Sequence, residues 1–405
     1  MAFNFDQLAD RKSDNSKKWD REFNEGYFGK LPDEYISMWI ADLDYEVTPI
    51  IHKKIEEIVD KKTYGYIYFY DELFEAIKQW QGNKSDFSLN NEMISLNFGI
   101  VSALYVTVQA FCREGDSIII NSPVYNPFRV AAEVNHIGVL ENELEVDQEY
   151  RYQINFQNLE ELIVEHQPKI YILCNPHNPG GRVWSKEELQ KIADLCLENN
   201  VILVSDEAHA DHINQGQFTS MLSLDKKYTD NLIVLNSANK GFNFAGLKMG
   251  YNIIPNLDIN NLFKQQLKKQ GILEPNIFGA AALCASYTDE GKEWLDASYD
   301  YMVQNYDWAS SYLSQEVPEL KITPLDSTYL MWLDVSSLGM TGDEVVERLA
   351  QEEGILFQPG SSFGQAGINH IRINLGTSKE FVQKSFQKFA DWCQKNKRQE
   401  DKSLE

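Results

Sequence analysis

The sequence has few cysteines, few basic residues relative to acidic ones, and no long apolar run. Its five cysteines are scattered and form no C-x-x-C pair, which argues against a disulfide scaffold or a zinc site and favours free thiols in a reducing compartment. Lysine and arginine number 37 against 61 aspartates and glutamates, and the net charge of −24 disfavours binding to nucleic acid or anionic membranes. No apolar stretch approaches membrane-spanning length, and the polar N-terminal segment is not typical of a signal peptide. We therefore expect a cytoplasmic protein.

Hydrophobic residues make up 43% of the 405 residues and aromatic residues 12%, which is typical of a folded chain with room for two domains. From about residue 93, short apolar segments rich in β-branched residues alternate with amphipathic helical segments. Strands that are buried on both faces and alternate with helices indicate a mainly parallel sheet covered on both sides. The sequence therefore predicts an α/β fold.

The pattern changes after about residue 290, where a long amphipathic segment is followed by short predicted strands. We interpret residues 49–290 as a large domain and residues 291–395 as a smaller α+β domain. Residues 1–48 precede the first regular helix of the large domain and are expected to join the smaller one. The charged segment 396–405 is predicted to be a disordered tail.

Five polar or glycine-containing segments directly follow predicted strands. Because ligands bind in open parallel sheets outside the carboxyl ends of the strands, we expect these segments to open onto one crevice. They are GIVS (99–102), SPVYNPF (122–128), NPHNPGG (175–181), DEAHAD (206–211) and NSANKGFN (236–243).

Side chains in these segments together suit pyridoxal 5′-phosphate as a cofactor. The amine of Lys240 can hold the aldehyde as a Schiff base, and Asp206, just past a buried strand, can pair with the pyridinium nitrogen. Asn178, in a proline-containing turn, can donate to the phenolic oxygen, and Tyr125 can cover the ring face. Each residue taken singly has a common structural explanation in a cap, a turn or the core, so the hypothesis depends on their agreement.

The phosphate of such a cofactor also has candidate partners. Gly99, Ile100 and Val101 begin a predicted helix, so their backbone N–H groups and the helix dipole can hold an anion. Ser237 precedes the lysine by about one turn and can bond the same phosphate.

The order of these motifs resembles that of the fold-type I pyridoxal-phosphate enzymes of the aspartate-aminotransferase superfamily. Within it, the chain is similar over nearly its whole length to the MalY/PatB-type cystathionine β-lyases, also called C–S lyases. The resemblance implies a seven-stranded sheet in the large domain, a smaller domain formed by both chain ends, and a homodimer. The motifs that carry the closer similarity are KWD (18–20), MWIADLDY (38–45), YGY (64–66), NPGGRVW (178–184), DEAHAD and KGFNFAGL (240–247).

The resemblance assigns roles to individual residues. Lys240 matches the Schiff-base lysine and catalytic base, Asp206 the pyridinium partner, Asn178 the phenolate donor and Tyr125 the stacking ring. Arg372, in HIRINLG (370–376), matches the arginine that holds the substrate α-carboxylate, a task suited to a guanidinium fork.

Three further residues come from the same comparison. Tyr66 matches a tyrosine that reaches the cofactor phosphate across the dimer interface, and both Tyr66 and Asn178 are expected near the substrate. Lys248 stands where many superfamily members carry a phosphate-binding arginine, so its role is open between a phosphate contact and a surface charge. His209 stands where aminotransferases often have tyrosine, and it either tunes the phenolic oxygen or supports Asp206.

The resemblance implies a lyase that cleaves the Cβ–S bond of L-cystathionine or a related L-cysteine thioether by α,β-elimination, giving a thiol, pyruvate and ammonia. An aminotransferase needs the same residues and is the leading alternative. A regulatory binding protein with the same fold is a minor one, because such a protein could lose Lys240 or Asp206 and both are present.

Two other motif readings are weaker. DEAH (206–209) imitates a helicase motif, but the sequence has no G-x-x-x-x-G-K-[ST] loop. His209 and His212, with neighbouring carboxylates, imitate a metal cluster, but no H-E-x-x-H is present and Asp206 suits the ring nitrogen better. We therefore expect no metal.

Overall fold

The computed structural model describes residues 3–66, 68 and 70–404. The strands of this part of the chain are, in order, β1 (Ile36–Ser37), β2 (Ile94–Asn97), β3 (Ser117–Ser122), β4 (Gly138–Glu143), β5 (Glu145–Val146), β6 (Tyr152–Gln153), β7 (Ile170–Cys174), β8 (Ile202–Asp206), β9 (Leu232–Asn236), β10 (Gly250–Ile253), β11 (Lys321–Ile322), β12 (Leu330–Asp334), β13 (Ile355–Leu356), β14 (Gln358–Pro359) and β15 (His370–Asn374).

The α-helices of the described chain surround these strands. They are α1 (Arg21–Phe28), α2 (Pro49–Val59), α3 (Tyr70–Gly82), α4 (Ile100–Phe111), α5 (Pro127–Glu133), α6 (Phe156–His166), α7 (Lys186–Glu198), α8 (Leu257–Lys269), α9 (Ile277–Ser286), α10 (Asp289–Glu316), α11 (Gly342–Glu353) and α12 (Lys379–Leu404). Within residues 3–66, 68 and 70–404, none of these helices has the length and hydropathy that crossing a bilayer requires.

The main sheet has seven strands in the order β2-β10-β9-β8-β7-β3-β4. The central strands β7 and β9 are entirely buried, as expected for apolar strands covered by helices on both faces. Neighbouring strands are parallel from β9 through β4, whereas β10 pairs antiparallel with both β9 and β2. The predicted α/β fold with a mainly parallel seven-stranded sheet is confirmed, and β10 is the antiparallel strand that the sequence pattern did not reveal.

A second, smaller sheet has the order β11-β12-β15-β14 and is antiparallel throughout. Its core also contains N-terminal side chains such as Trp19, Phe28 and Met38, packed with C-terminal ones. The short strand β1 pairs with β13, which ties the two ends of the chain together. These contacts agree with an N-terminal segment that joins the smaller domain, while the boundaries at residues 48 and 290 stay predictions.

The C-terminal segment differs from its predicted disorder at 396–405. The helix α12 continues through it to Leu404. The physical reason is that six of the ten residues in this segment are lysine, arginine, glutamine or glutamate, which are good helix formers and extend a helix that is already nucleated. Lys397 also forms an ion pair with Glu319 at 2.9 Å.

Candidate active site

A cavity of about 190 Å³ lies at the carboxyl edge of the main sheet. All five segments that follow the predicted strands contribute to its lining, because parallel strands deliver their carboxyl ends to the same edge. The predicted site residues that line it are Gly99, Ile100, Val101, Tyr125, Asn178, Asp206, His209, Ser237, Lys240 and Lys248. Phe98, Cys174, Ala208, Asn239 and Ala245 also line it and were not predicted.

Lys240 follows β9, and its amine donates a 2.7 Å hydrogen bond to the backbone carbonyl of Ala41. Burial, followed by the positive charge of Arg372, lowers the pKa of this amine to about 8 against the opposing effects of Asp42 and Asp206. Among the described residues, no carboxylate lies within 4 Å of the amine. A larger fraction of Lys240 than of an ordinary lysine is therefore neutral near physiological pH and able to act as a nucleophile or base.

Asp206 is the last residue of β8, and its side chain is 4% exposed. One carboxylate oxygen accepts a 3.0 Å hydrogen bond from the backbone N–H of Ala208. Burial raises the pKa of Asp206 to about 7, against the opposing effects of that hydrogen bond and of Lys240. A buried carboxylate beside a cavity, with no cation within 4 Å among the described residues, suits a positively charged ring nitrogen.

Asn178 and Arg372 are linked directly, although the sequence places them 194 positions apart. The guanidinium donates to the Asn178 side-chain oxygen at 3.1 Å and to the Trp39 carbonyl at 3.2 Å, and it also donates to Gln358. With its oxygen engaged, Asn178 offers its amide nitrogen as the donor to a ligand in the cavity. Arg372 is 4% exposed, and its Nε has no hydrogen-bond partner in the described structure, so the buried fork retains a donor for an anion.

Tyr125 and His209 are both uncharged in this site. Burial raises the pKa of the Tyr125 phenol to about 12, so the ring is a neutral phenol at physiological pH. Burial lowers the pKa of His209 well below its usual range, with further lowering by Lys240 and His212. His209 packs near Tyr329 with ring centroids 6.1 Å apart, and its Nδ1 has no partner among the described groups. Within the same residues, no group of three histidine, cysteine or acidic side chains is placed to hold a metal ion.

An anion could bind where α4 begins. Gly99 is its N-cap with φ of +107°, a conformation that favours glycine, and it has no side chain to cap the first turn. The Ser237 hydroxyl is close by but donates to the Met249 carbonyl at 2.8 Å, so a bond to a phosphate requires its hydroxyl to rotate. Lys248 lies at the exposed edge of the same cavity.

Two predicted site residues are absent from the cavity lining: Arg372, which is buried and hydrogen-bonded to the lining residue Asn178, and Tyr66. The Tyr66 side chain is fully exposed. Sequence reasoning conversely missed the Ala41 carbonyl and Tyr329, whose hydroxyl donates to that same carbonyl at 3.1 Å. A backbone carbonyl has no signature in the sequence, so the Ala41 carbonyl could not be predicted as a site group. The motif MWIADLDY nevertheless identified the segment that contains Ala41.

The sheet order and the half-buried lysine at its carboxyl edge define an α/β protein of the aminotransferase type. The chain belongs to the aminotransferase class I and II family, whose model matches residues 36–389. It is 34% identical to the cystathionine β-lyase PatB of Bacillus subtilis over 94% of this chain and 97% of PatB. It is 27% identical to the MalY protein of Escherichia coli over 94% of this chain and 96% of MalY.

Solved structures show the same similarity. Cystalysin of Treponema denticola, whose crystal structure contains pyridoxal 5′-phosphate, superposes with a TM-score of 0.92 at 30% identity, covering 96% of this chain and 98% of that one. A pyridoxal-phosphate-bound C–S lyase of Staphylococcus hominis gives 0.88 at 30% identity, with 97% and 98% covered. A pyridoxal-phosphate-bound putative aminotransferase of Clostridium difficile gives 0.91 at 30% identity, with 96% and 99% covered.

Proposed function

We propose that this protein is a pyridoxal-phosphate-dependent carbon–sulfur lyase that acts on L-cystathionine or a related L-cysteine thioether. The observation that carries the proposal is the pairing, in one cavity, of an amine whose pKa is lowered to about 8, Lys240, with a buried carboxylate, Asp206. The relatives named cystathionine β-lyase and C–S lyase support the choice of reaction. The products are a thiol, pyruvate and ammonia.

The residues present fit the cofactor. Asp206 is a buried carboxylate that lacks a cationic partner within 4 Å in the described structure, and Lys240 is an amine that is in part neutral. The first turn of α4 offers unpaired backbone donors for a phosphate, and Lys248 adds a positive charge at the cavity edge. When bound, pyridoxal phosphate supplies an electron sink for the pair released from the substrate Cα.

Each step then has a group in this chain to perform it. Arg372 binds the substrate α-carboxylate and orients the Cα–H bond. Lys240 Nζ takes the α-proton as general base, which its lowered pKa permits near neutral pH. With the cofactor bound, Asp206 would hold a proton on its ring nitrogen, and the Asn178 amide nitrogen would donate to its phenolic oxygen. The Cβ–S bond then breaks, and the sulfur departs as a thiolate that takes up a proton to become the thiol. The unsaturated amine that remains of the substrate is released and hydrolysed by water to pyruvate and ammonia.

Aminotransfer is the second candidate, because the Clostridium difficile structure is described as a putative aminotransferase and superposes closely. The same side chains can serve either reaction. A thiolate on Cβ leaves far more readily than the hydrogen or carbon substituents of ordinary amino acids, so elimination wins when the substrate carries sulfur at Cβ. The regulatory alternative is disfavoured by the intact pair of Lys240 and Asp206 in the cavity.

The reaction can be assigned from its products. With L-cystathionine and no keto acid, we expect thiol, pyruvate and ammonia to appear together in equal amounts over many turnovers. Each product is measured separately, with L-alanine as a control substrate that has no leaving group. Thiol release that ends after about one turnover, together with sustained amino transfer when a keto acid is added, would assign the protein as an aminotransferase.

The active unit is proposed to be a homodimer in which Tyr66 completes the partner's site. Large apolar side chains are exposed on the single chain around this residue: Tyr64 is 59% exposed, Tyr66 104% and Tyr68 84%, and Leu273 is 70% exposed. Exposed aromatic residues in one segment favour a protein interface over a solvent-facing surface. A dimer of this kind explains why Tyr66, a proposed site residue, lies outside the cavity of its own chain.

Subunit exchange tests this arrangement. Homodimers of Tyr66→Ala and of Lys240→Ala are each expected to be inactive. Mixed together, they form heterodimers with one site that has both residues, so activity should return in proportion to the heterodimer fraction. Exchange is followed with two differently tagged chains. If heterodimers form without any recovery, Tyr66 acts within its own chain.

We also propose that the protein works in the cytoplasm. All five cysteines are free, and four of them are buried. This supports a reducing compartment, where thiols are not oxidised to disulfides.

A further inference from the structure

The motifs KWD and MWIADLDY meet in one cluster that the proposed chemistry has not used. Residues 39–45, which we name the strap, connect β1 to α2 without forming a helix or strand. The backbone carbonyls of residues 39–43 each accept a hydrogen bond from a side chain elsewhere in the fold. The conformation of the strap is thus set by those side chains instead of by secondary structure.

Two of these bonds come from the two most important cationic groups of the site. Arg372 donates to the Trp39 carbonyl at 3.2 Å, and Lys240 donates to the Ala41 carbonyl at 2.7 Å. The acceptors are two residues apart on one short segment. The strap therefore sets the position of the proposed carboxylate-binding group relative to the proposed base.

A buried ion pair holds the strap on its other side. Lys18 is completely buried, and its amine lies 3.0 Å from the Asp44 carboxylate and donates to the Asp42 carbonyl at 3.1 Å. Asp44 is 1% exposed and also accepts a 2.8 Å hydrogen bond from the Trp19 indole. Loss of Lys18 leaves Asp44 with only Arg11 at 3.9 Å, and loss of Asp44 leaves Lys18 with only the Asp42 carboxylate at 3.8 Å. Neither replaces the 3.0 Å contact, so removing one partner of this buried pair is unfavourable.

Asn243 anchors the strap independently, from the segment that carries the lysine. Its amide oxygen accepts from the Leu43 N–H at 2.9 Å, and its nitrogen donates to the carbonyls of Leu43 and Tyr45, both at 2.9 Å. Asn243 has φ of +58°, a conformation that asparagine tolerates and glycine adopts freely. The turn after Lys240 is thereby fastened to the strap that receives the lysine's hydrogen bond.

We propose that the Lys18–Asp44 ion pair and Asn243 are positioning residues. They hold the strap in the place where its carbonyls keep Lys240 and Arg372 at the relative positions that the reaction requires. The inference rests on the proposed function and deepens it by giving the KWD and MWIADLDY motifs a task. Whenever Lys240 is not bonded to the cofactor, the Ala41 carbonyl gives its amine a fixed acceptor. The amine then takes and returns a proton along one direction.

Two holoenzyme variants test the proposal without changing the net charge. Lys18→Met combined with Asp44→Asn neutralises both partners and avoids an unpaired buried charge. Asn243→Gly keeps the positive φ and removes the three anchoring bonds. Ile163→Ala, at a buried position on α6 outside the strap and the cavity lining, is the control for a loss of stability alone.

The first readout needs no turnover. The visible absorbance of the holoenzyme is titrated with pH, because it reports the charges that face Lys240, which come from Asp206, Arg372 and the strap residue Asp42. Both strap variants are expected to shift the midpoint, since Asp42 moves with the strap, whereas Ile163→Ala keeps the midpoint of the unchanged protein. The second readout is kinetic: kcat/KM for L-cystathionine should fall about 10- to 100-fold in both strap variants, in line with a displacement of about 1 Å.

An unchanged midpoint together with unchanged kinetics in Asn243→Gly would overturn the proposal. So would an equal shift in Ile163→Ala, because that would make the effect one of general stability. Asn243→Gly decides the matter if the double variant does not fold. Failure of the proposed function is recognised separately. If the protein without substitutions transfers amino groups but releases no thiol, the pH titration of its visible absorbance still has a midpoint. The strap variants are then still expected to shift that midpoint.

Discussion

Replacing Lys240 by alanine is expected to abolish turnover while the protein remains folded. The side chain supplies both the amine that holds the cofactor and the base that takes the α-proton, and loss of a positioned base alone costs about 10²–10⁴-fold in rate. Lys240 has no carboxylate within 4 Å in the described structure, so its removal breaks no close ion pair. Activity is measured as thiol release, and folding by circular dichroism and thermal unfolding.

The lowered pKa of this lysine predicts a pH dependence. In protein freed of cofactor, the rate at which added pyridoxal phosphate is captured should rise with pH and level off above about 8, because only the neutral amine attacks the aldehyde. An ordinary lysine, with a pKa near 10.4, would place the plateau about two units higher. Capture is followed by absorbance and by borohydride reduction with peptide mapping.

Lys248→Ala is the matched control, since this lysine lines the same cavity at its exposed edge. It should keep the chemistry and weaken cofactor affinity modestly, by roughly 1 kcal/mol or less for one exposed contact. Substantial turnover by Lys240→Ala without an added amine, or covalent capture at Lys248, would contradict the assignment of the base.

The second large effect is expected from Asp206→Ala, which should leave some cofactor bound but slow α-proton removal by about 10²-fold or more. The physical reason is that Asp206 is the buried carboxylate at the cavity, so without it no anion keeps the ring nitrogen protonated. Exchange of the substrate α-proton with deuterated solvent isolates this step from thiol release. Asp206→Asn retains a hydrogen-bonding side chain without the charge and should be nearly as slow.

Glu207 provides the control for this experiment because it is the adjacent carboxylate and is equally buried. Its oxygen accepts hydrogen bonds from Ser205, Ser220 and the Met221 N–H instead of lining the cavity. Glu207→Gln should therefore retain near-normal exchange. If Asp206→Ala exchanges the α-proton at a near-normal rate, another group stabilises the charge on the ring.

The alternation of apolar strands with helices was sufficient to predict five strands of the main sheet, because burial on both faces leaves a continuous apolar run in the sequence. It did not reveal the edge strand β4, in which one residue of six is buried, or β10, whose four residues begin with a glycine and are too short to show a period. It also predicted disorder where α12 continues, since charge content alone does not distinguish a frayed tail from an exposed helical end.

The candidate site divides in the same way. Lys240, Asp206, Asn178 and Tyr125 were identifiable because each lies at the carboxyl end of a strand or within four residues of it, and the carboxyl ends of parallel strands meet at one edge. Arg372 came only from the resemblance, because its strand belongs to the smaller sheet. Its hydrogen bond to Asn178 joins residues from the two sheets and has no signature in either local sequence.

The amino-acid sequence by itself thus determined the α/β fold, the strand ends that carry the cofactor-type residues and the family to which the chain belongs. Those properties follow from local periodicity and from short motifs. Only the tertiary structure decided that Lys240 and Arg372 donate hydrogen bonds to the carbonyls of Ala41 and Trp39. It also decided that the Ser237 hydroxyl donates to the Met249 carbonyl and that Tyr66 lies outside the cavity of its own chain. The reason is that hydrogen bonds between separate elements depend on how the elements pack, whether they join residues 12 positions apart, as for Ser237 and Met249, or 199 apart, as for Lys240 and Ala41. No local pattern records that packing.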